Sequence, residues 1–81
     1  MRRRDRIAKL EAEISFLHLR TDELERIFTD RYGPQLPNNA EGRDCLRIMA
    51  NHFAILATTE RRLIAMKQME DRANERRIAA N

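Results

Sequence analysis

The fold is decided by residues 6–28, which read RIAKLEAEISFLHLRTDELERIF. Within this stretch apolar side chains recur at alternating intervals of three and four residues, and Thr21 is the only polar member of the series. The apolar members are Ile7, Leu10, Ile14, Leu17, Leu24 and Phe28. This spacing is the heptad pattern of a helix that packs lengthwise against another helix. It predicts a first helix over about residues 4–31.

The sequence after this helix contains clear signals for a stop and a new start. Gly33 can adopt the left-handed conformation that ends many helices, and Pro34 cannot continue one. Residues 33–38 form a short connection with two prolines, a length that suits neighbouring antiparallel helices. Asn38 and Glu41 have the spacing of a capping box, in which each side chain bonds a free backbone N–H group. A second helix is therefore expected over about residues 39–78.

Composition favours an all-α fold for the whole chain. The 81 residues include no valine and only 5% aromatic residues, whereas the good helix formers dominate. We expect a single helical domain, residues 1–81, built as a long antiparallel helical hairpin. Polar residues from Thr58 to Glu60 interrupt the apolar pattern of the second helix, so a three-helix bundle with a break there is the alternative.

The two helices carry more apolar side chains than one hairpin seam can cover. Phe16 and Leu19 lie off the heptad series of the first helix, and leaving such side chains in water forfeits roughly 1.5–3 kcal/mol each. Pairing of two hairpins would cover them, which predicts a homodimer in the form of a four-helix bundle or a coiled-coil-like assembly. The residues expected to drive self-association are Ile7, Leu10, Ile14, Phe16, Leu17, Leu19, Leu24, Phe28, Leu46, Met49, Phe53, Leu56 and Leu63.

Few residues could support catalysis or metal binding. The only histidines and cysteine are His18, His52 and Cys45, and they do not form a zinc-binding or metalloprotease motif. Cys45 and His52 are seven residues apart, which separates them by about 10 Å along a helix. We therefore expect no catalytic residues, no metal, no cofactor and no small-molecule substrate, and we predict that the protein is not an enzyme.

The same features indicate a cellular location. A single cysteine allows no disulfide within the chain, and the basic N-terminus leads into a sequence without the apolar core of a signal peptide. No apolar run approaches the roughly 18 residues that a membrane-spanning helix needs. A soluble protein in the cytoplasm is expected.

Charge is distributed unevenly along the chain. Residues 1–9 have a net charge of +4, residues 10–60 of −4 and residues 61–81 of +3. An antiparallel hairpin brings both basic segments to one end, where arginines could bind phosphate groups. The candidate nucleic-acid-binding residues are Arg2, Arg3, Arg4, Arg6, Arg72, Arg76 and Arg77. The alternative is an adaptor or inhibitor that binds a larger protein partner through the acidic middle or the leftover apolar strip.

Overall fold

The protein is a hairpin of two long helices, α1 (Arg3–Tyr32) and α2 (Ala40–Ala80). The structure is a computed structural model that describes the backbone of residues 2–80 and the side chains of residues 2–79. The described chain measures 63 × 21 × 16 Å and contains no strand. The predicted all-α antiparallel hairpin is confirmed, and both helices begin and end within two residues of the expected positions.

The ends of the helices show how the local sequence sets the turn. Gly33 has a φ of +81°, and its N–H donates a 2.8 Å hydrogen bond to the carbonyl of Thr29. The cap of α2 lies one residue later than the predicted capping box. Asn39, rather than Asn38, accepts a 3.1 Å hydrogen bond from the N–H of Gly42. Glu41 instead accepts a 3.1 Å hydrogen bond from the Tyr32 hydroxyl and so ties the two helices together at the loop.

α2 is continuous through residues 58–60, where the sequence allows a break. The hydroxyl of Thr58 donates to the carbonyl of Ala54 at 2.9 Å, and the hydroxyl of Thr59 donates to that of Ile55 at 2.8 Å. These bonds run back along the same helix, so the threonines satisfy their hydroxyls without capping a new helix. The three-helix alternative is therefore wrong.

The seam of α1 is the heptad series that the sequence predicts. Six of its seven members are half-buried, and Thr21 is buried, with 5% of its surface exposed. The Thr21 hydroxyl donates a 2.9 Å hydrogen bond to the carbonyl of Leu17, so burial of this polar group costs little free energy.

The seam of α2 also follows a heptad pattern, although its residues are less apolar. Buried or half-buried positions recur at intervals of three and four residues along the helix. We call these positions the inner seam of α2; they are Gly42, Cys45, Met49, His52, Leu56, Thr59, Leu63, Met66, Glu70 and Ala73. Among the described side chains only Cys45 and Leu56 are buried apolar ones, so the core of one hairpin is thin.

Candidate interaction surfaces

Two contacts between side chains define the register of the hairpin. Arg3 lies 3.5 Å from the carboxylate of Glu70, and His18 lies 3.6 Å from that of Glu60. Because α2 has 41 residues and α1 has 30, its last turns extend beyond the start of α1. The open end of the hairpin therefore combines the N-terminal residues with the last three turns of α2.

Four of the seven candidate arginines line one hollow at this open end. The hollow has a volume of about 580 Å³ and is lined by Arg2, Arg3, Arg4, Asp5, Glu70 and Arg77. Arg3 is already engaged there, since it pairs with Glu70 and donates a 3.3 Å hydrogen bond to the carbonyl of Met69. Arg2, Arg4 and Arg77 are exposed, and their guanidinium groups can reach an anion in the hollow.

The remaining candidate arginines lie outside this hollow. Arg6 lines a neighbouring open groove of about 480 Å³ together with Lys9 and Arg62. Arg72 and Arg76 are exposed but line neither space. Helical spacing explains the difference, because residues 72 and 76 share one face of α2 and residue 77 lies about 100° farther round. The sequence prediction omitted Lys9 and Arg62, which the antiparallel register brings beside Arg6.

The predicted self-association residues fall into two groups in the structure. Nine of the thirteen lie on the seam between α1 and α2 of the same chain: Ile7, Leu10, Ile14, Leu17, Leu24, Phe28, Met49, Leu56 and Leu63. The other four, Phe16, Leu19, Leu46 and Phe53, are exposed large apolar side chains. Only this second group is free to meet another molecule, and it is divided between the two helices.

Exposed apolar side chains flank the inner seam of α2 on both sides. On one side Ile55 lines a groove of about 430 Å³ with Phe16, Ala12 and Leu17 of α1. On the other side lies a row that we call the outer strip, which consists of Leu46, Ala50, Phe53, Ala57, Glu60 and Ile64; Ala57 is half-buried, and Glu60 is the one charged member. The apolar pattern of the sequence alone does not separate the inner seam from this second row.

The potentially reactive side chains are dispersed along the hairpin. Cys45 is buried on the inner seam, and His52 lies on the same seam two turns further along α2. His18 lies on α1 beside Glu60. Within the described residues, no three His, Cys, Asp or Glu side chains group closely enough to hold a metal ion. In the same part of the chain, neither helix has an apolar stretch long enough to cross a membrane.

Comparisons with protein families, with curated proteins and with solved structures found no match to this chain.

Proposed function

We propose that this chain is a small, non-enzymatic regulatory or accessory protein that self-associates through apolar surface and contacts nucleic acid through its arginine-rich end. Its lone buried cysteine suits a reducing compartment, and we place it in the cytoplasm. The observation that carries the proposal is the hollow at the open end of the hairpin. Arg77 meets Arg2, Arg3 and Arg4 there, although more than 70 residues of sequence separate it from them.

The charge balance of the hollow favours an anionic ligand. Four arginines and two carboxylates line it, and one of those carboxylates is paired with Arg3. An arginine presents a planar fork of donors that matches a phosphate group, so several arginines around one hollow suit a phosphate backbone. The neighbouring groove adds Arg6, Lys9 and Arg62 against one carboxylate, that of Glu13, and so extends the basic surface along the hairpin. Binding of this kind depends on charge and needs no particular base sequence.

The test is a charge-removal variant with a control at the other end of the molecule. In the first variant Arg2, Arg4 and Arg77 are replaced by Gln, and Arg3 is kept because it pairs with Glu70. In the control, three exposed arginines nearer the loop, at positions 26, 43 and 47, are replaced by Gln, which removes the same formal charge. Binding of fluorescent RNA and duplex DNA is measured by anisotropy over a range of salt concentrations.

We expect the first variant to bind duplex DNA at least about tenfold more weakly near 0.1 M salt. Its plot of log affinity against log salt should flatten by roughly two to three units, because each lost phosphate contact removes about 0.9 from the slope. The control should keep the slope of the unmodified protein. Equal losses in both variants would mean that net charge alone attracts the nucleic acid, and absence of binding at low salt would refute this half of the proposal.

A protein partner is the second candidate, and the groove beside Phe16 favours it. Phe16 is 61% exposed, and with Ile55 it provides an open apolar trough between the two helices, a surface that accepts the apolar face of a partner helix. A complex of this kind should be insensitive to salt, should be lost on Phe16→Glu and should survive the arginine substitutions. The opposite pattern would favour nucleic acid.

A further inference from the structure

The hairpin exposes more surface than a compact protein of its mass. Its accessible surface is 6662 Å², whereas a compact monomer of 9.6 kDa exposes about 5,100 Å². The excess is on the order of 1,500 Å², and a standard protein interface covers about 800 Å² on each partner. One ordinary interface would therefore bury about half of the excess.

The outer strip has the geometry of a second helix-packing seam. Its six members follow one another along α2 at intervals of four, three, four, three and four residues, which is the heptad spacing. The large apolar members remain exposed after α1 has packed on the inner seam: Leu46 by 60%, Phe53 by 48% and Ile64 by 56%. A strip with this spacing fits another helix better than it fits an irregular surface.

We infer that the outer strip binds the outer strip of a second copy of this chain, with the two α2 helices antiparallel and the twofold axis near residue 55. This inference rests on the self-association in the proposed function and specifies its surface. In this register Leu46 lies opposite the partner's Ile64, and Phe53 lies opposite the partner's Ala57. Phe53 thus meets a small side chain, and Leu46 meets another branched aliphatic one. The two copies of the strip can therefore pack on each other, as the self-complementary surface of a twofold dimer requires.

Glu60 decides between the antiparallel and the parallel arrangement. In a parallel pair each residue of the strip meets its own copy, so Glu60 would face the partner's Glu60 and the like charges would repel. In the antiparallel pair Glu60 lies opposite the partner's Ala50, whose small side chain leaves room for it. Its carboxylate already points toward α1, where His18 lies 3.6 Å away, so the charge sits at the border of the strip.

The experiment compares two substitutions that lie two residues apart on α2. Phe53→Glu places a charge in the outer strip, and Ile55→Glu places the same charge on the opposite flank of the inner seam. The two side chains are similarly exposed, at 48% and 52%, so each substitution should disturb the single hairpin to a similar extent. Molar mass is measured by light scattering during size exclusion over a range of concentrations, and circular dichroism checks the helix content.

We expect the unmodified protein and the Ile55→Glu variant to be dimeric. The Phe53→Glu variant should be a helical monomer, with a dimer dissociation constant at least about 100-fold higher. Glu60→Leu should tighten the dimer, since it removes the only charge of the strip. A dimer that survives Phe53→Glu would show that the outer strip is not the interface, while self-association through another surface would remain supported. A monomer at all concentrations for the unmodified protein would refute self-association as well.

Orientation is tested by the distance between two spin labels in the dimer. The label is attached at Arg47→Cys, an exposed site beside the strip, with Cys45→Ala to remove the native thiol. In the antiparallel register the two labelled positions lie about 24 Å apart along the helices. In a parallel pair they would lie near the interaxial spacing of about 10 Å, and a distance in that range would overturn the antiparallel arrangement.

Discussion

Two leucines ten residues apart on α2 should differ sharply in their contribution to stability. Leu56 is only 7% exposed, so Leu56→Ala removes nearly all of its buried surface and leaves a cavity, at a cost of about 2–5 kcal/mol. Leu46 is 60% exposed in the single hairpin. If full burial of a leucine contributes roughly 1.5–3 kcal/mol, its buried fraction accounts for about 0.6–1.2 kcal/mol. Leu56→Ala should therefore cost about twice as much as Leu46→Ala, or more.

Urea unfolding followed by circular dichroism measures this difference. Both changes are made in the Phe53→Glu background, and the mass of each variant is measured, so that single hairpins are compared. With a slope of about 1 kcal/mol per molar urea, Leu56→Ala should lower the midpoint by roughly 2 M or more, and Leu46→Ala by about 1 M or less. Equal shifts would mean that α1 does not pack on the inner seam of α2, and the register described above would be refuted.

Three further predictions concern the turn and the seam. Gly42→Ala should destabilise the protein by about 1–3 kcal/mol in urea unfolding, because a Cβ at this position would overlap the carbonyl oxygen of Pro37. Thr21→Val should change the stability by less than about 1 kcal/mol in the same assay, because the buried hydroxyl and its local hydrogen bond are lost together; a larger loss would show that this hydroxyl has a further role. Partial burial raises the pKa of Tyr32 above its usual value of 10.0, and its hydrogen bond to Glu41 raises it further. The neutral phenol is thus favoured in the folded state, and the stability that it provides below pH 10 should be lost as the pH rises through the folded pKa. Tyr32 is the only tyrosine, so ultraviolet titration reports its pKa directly, and Glu41→Gln should move that pKa part of the way back.

The sequence predicts α1 and the turn well because their signals are local. The heptad series of α1 is almost entirely apolar, and Gly33 with Pro34 marks its end. Thr21 looks like a weak position in this series, yet it is the most deeply buried residue of α1, since its hydroxyl bonds within its own helix. A polar residue whose side chain hydrogen-bonds within its own helix is compatible with a buried seam position. The apolar pattern of the sequence alone does not predict the burial of such a residue.

The inner seam of α2 is hard to predict from the sequence because its most apolar residues lie elsewhere. Polar or small residues such as Gly42, His52 and Thr59 occupy inner positions, whereas Leu46 and Phe53 are exposed. Which row faces α1 depends on contacts distant in sequence, such as the pairing of residues 3 and 70.

The arginine-rich end could be predicted only in part for a similar reason. Antiparallel topology alone brings residues 2–4 near residue 77, as the sequence indicates. The separation of Arg72 and Arg76 from Arg77 depends on how α2 is rotated against α1, and that rotation is fixed by the inner seam.

The dimer register and the arginine-rich end together predict how binding depends on DNA length. Glu70 marks the open end of the hairpin, fifteen residues beyond the proposed twofold axis, so the two basic hollows of a dimer lie about 45 Å apart. At 3.4 Å per base pair, a duplex must exceed about 13 base pairs to reach both hollows. Engaging both ends can raise affinity by a factor of about 100 or more without any new kind of contact. We therefore expect a 20-base-pair duplex to bind much more tightly than a 10-base-pair duplex, and the monomeric Phe53→Glu variant to lose this difference while retaining the affinity for the short duplex. The same length dependence in the monomer would show that the two ends do not act together.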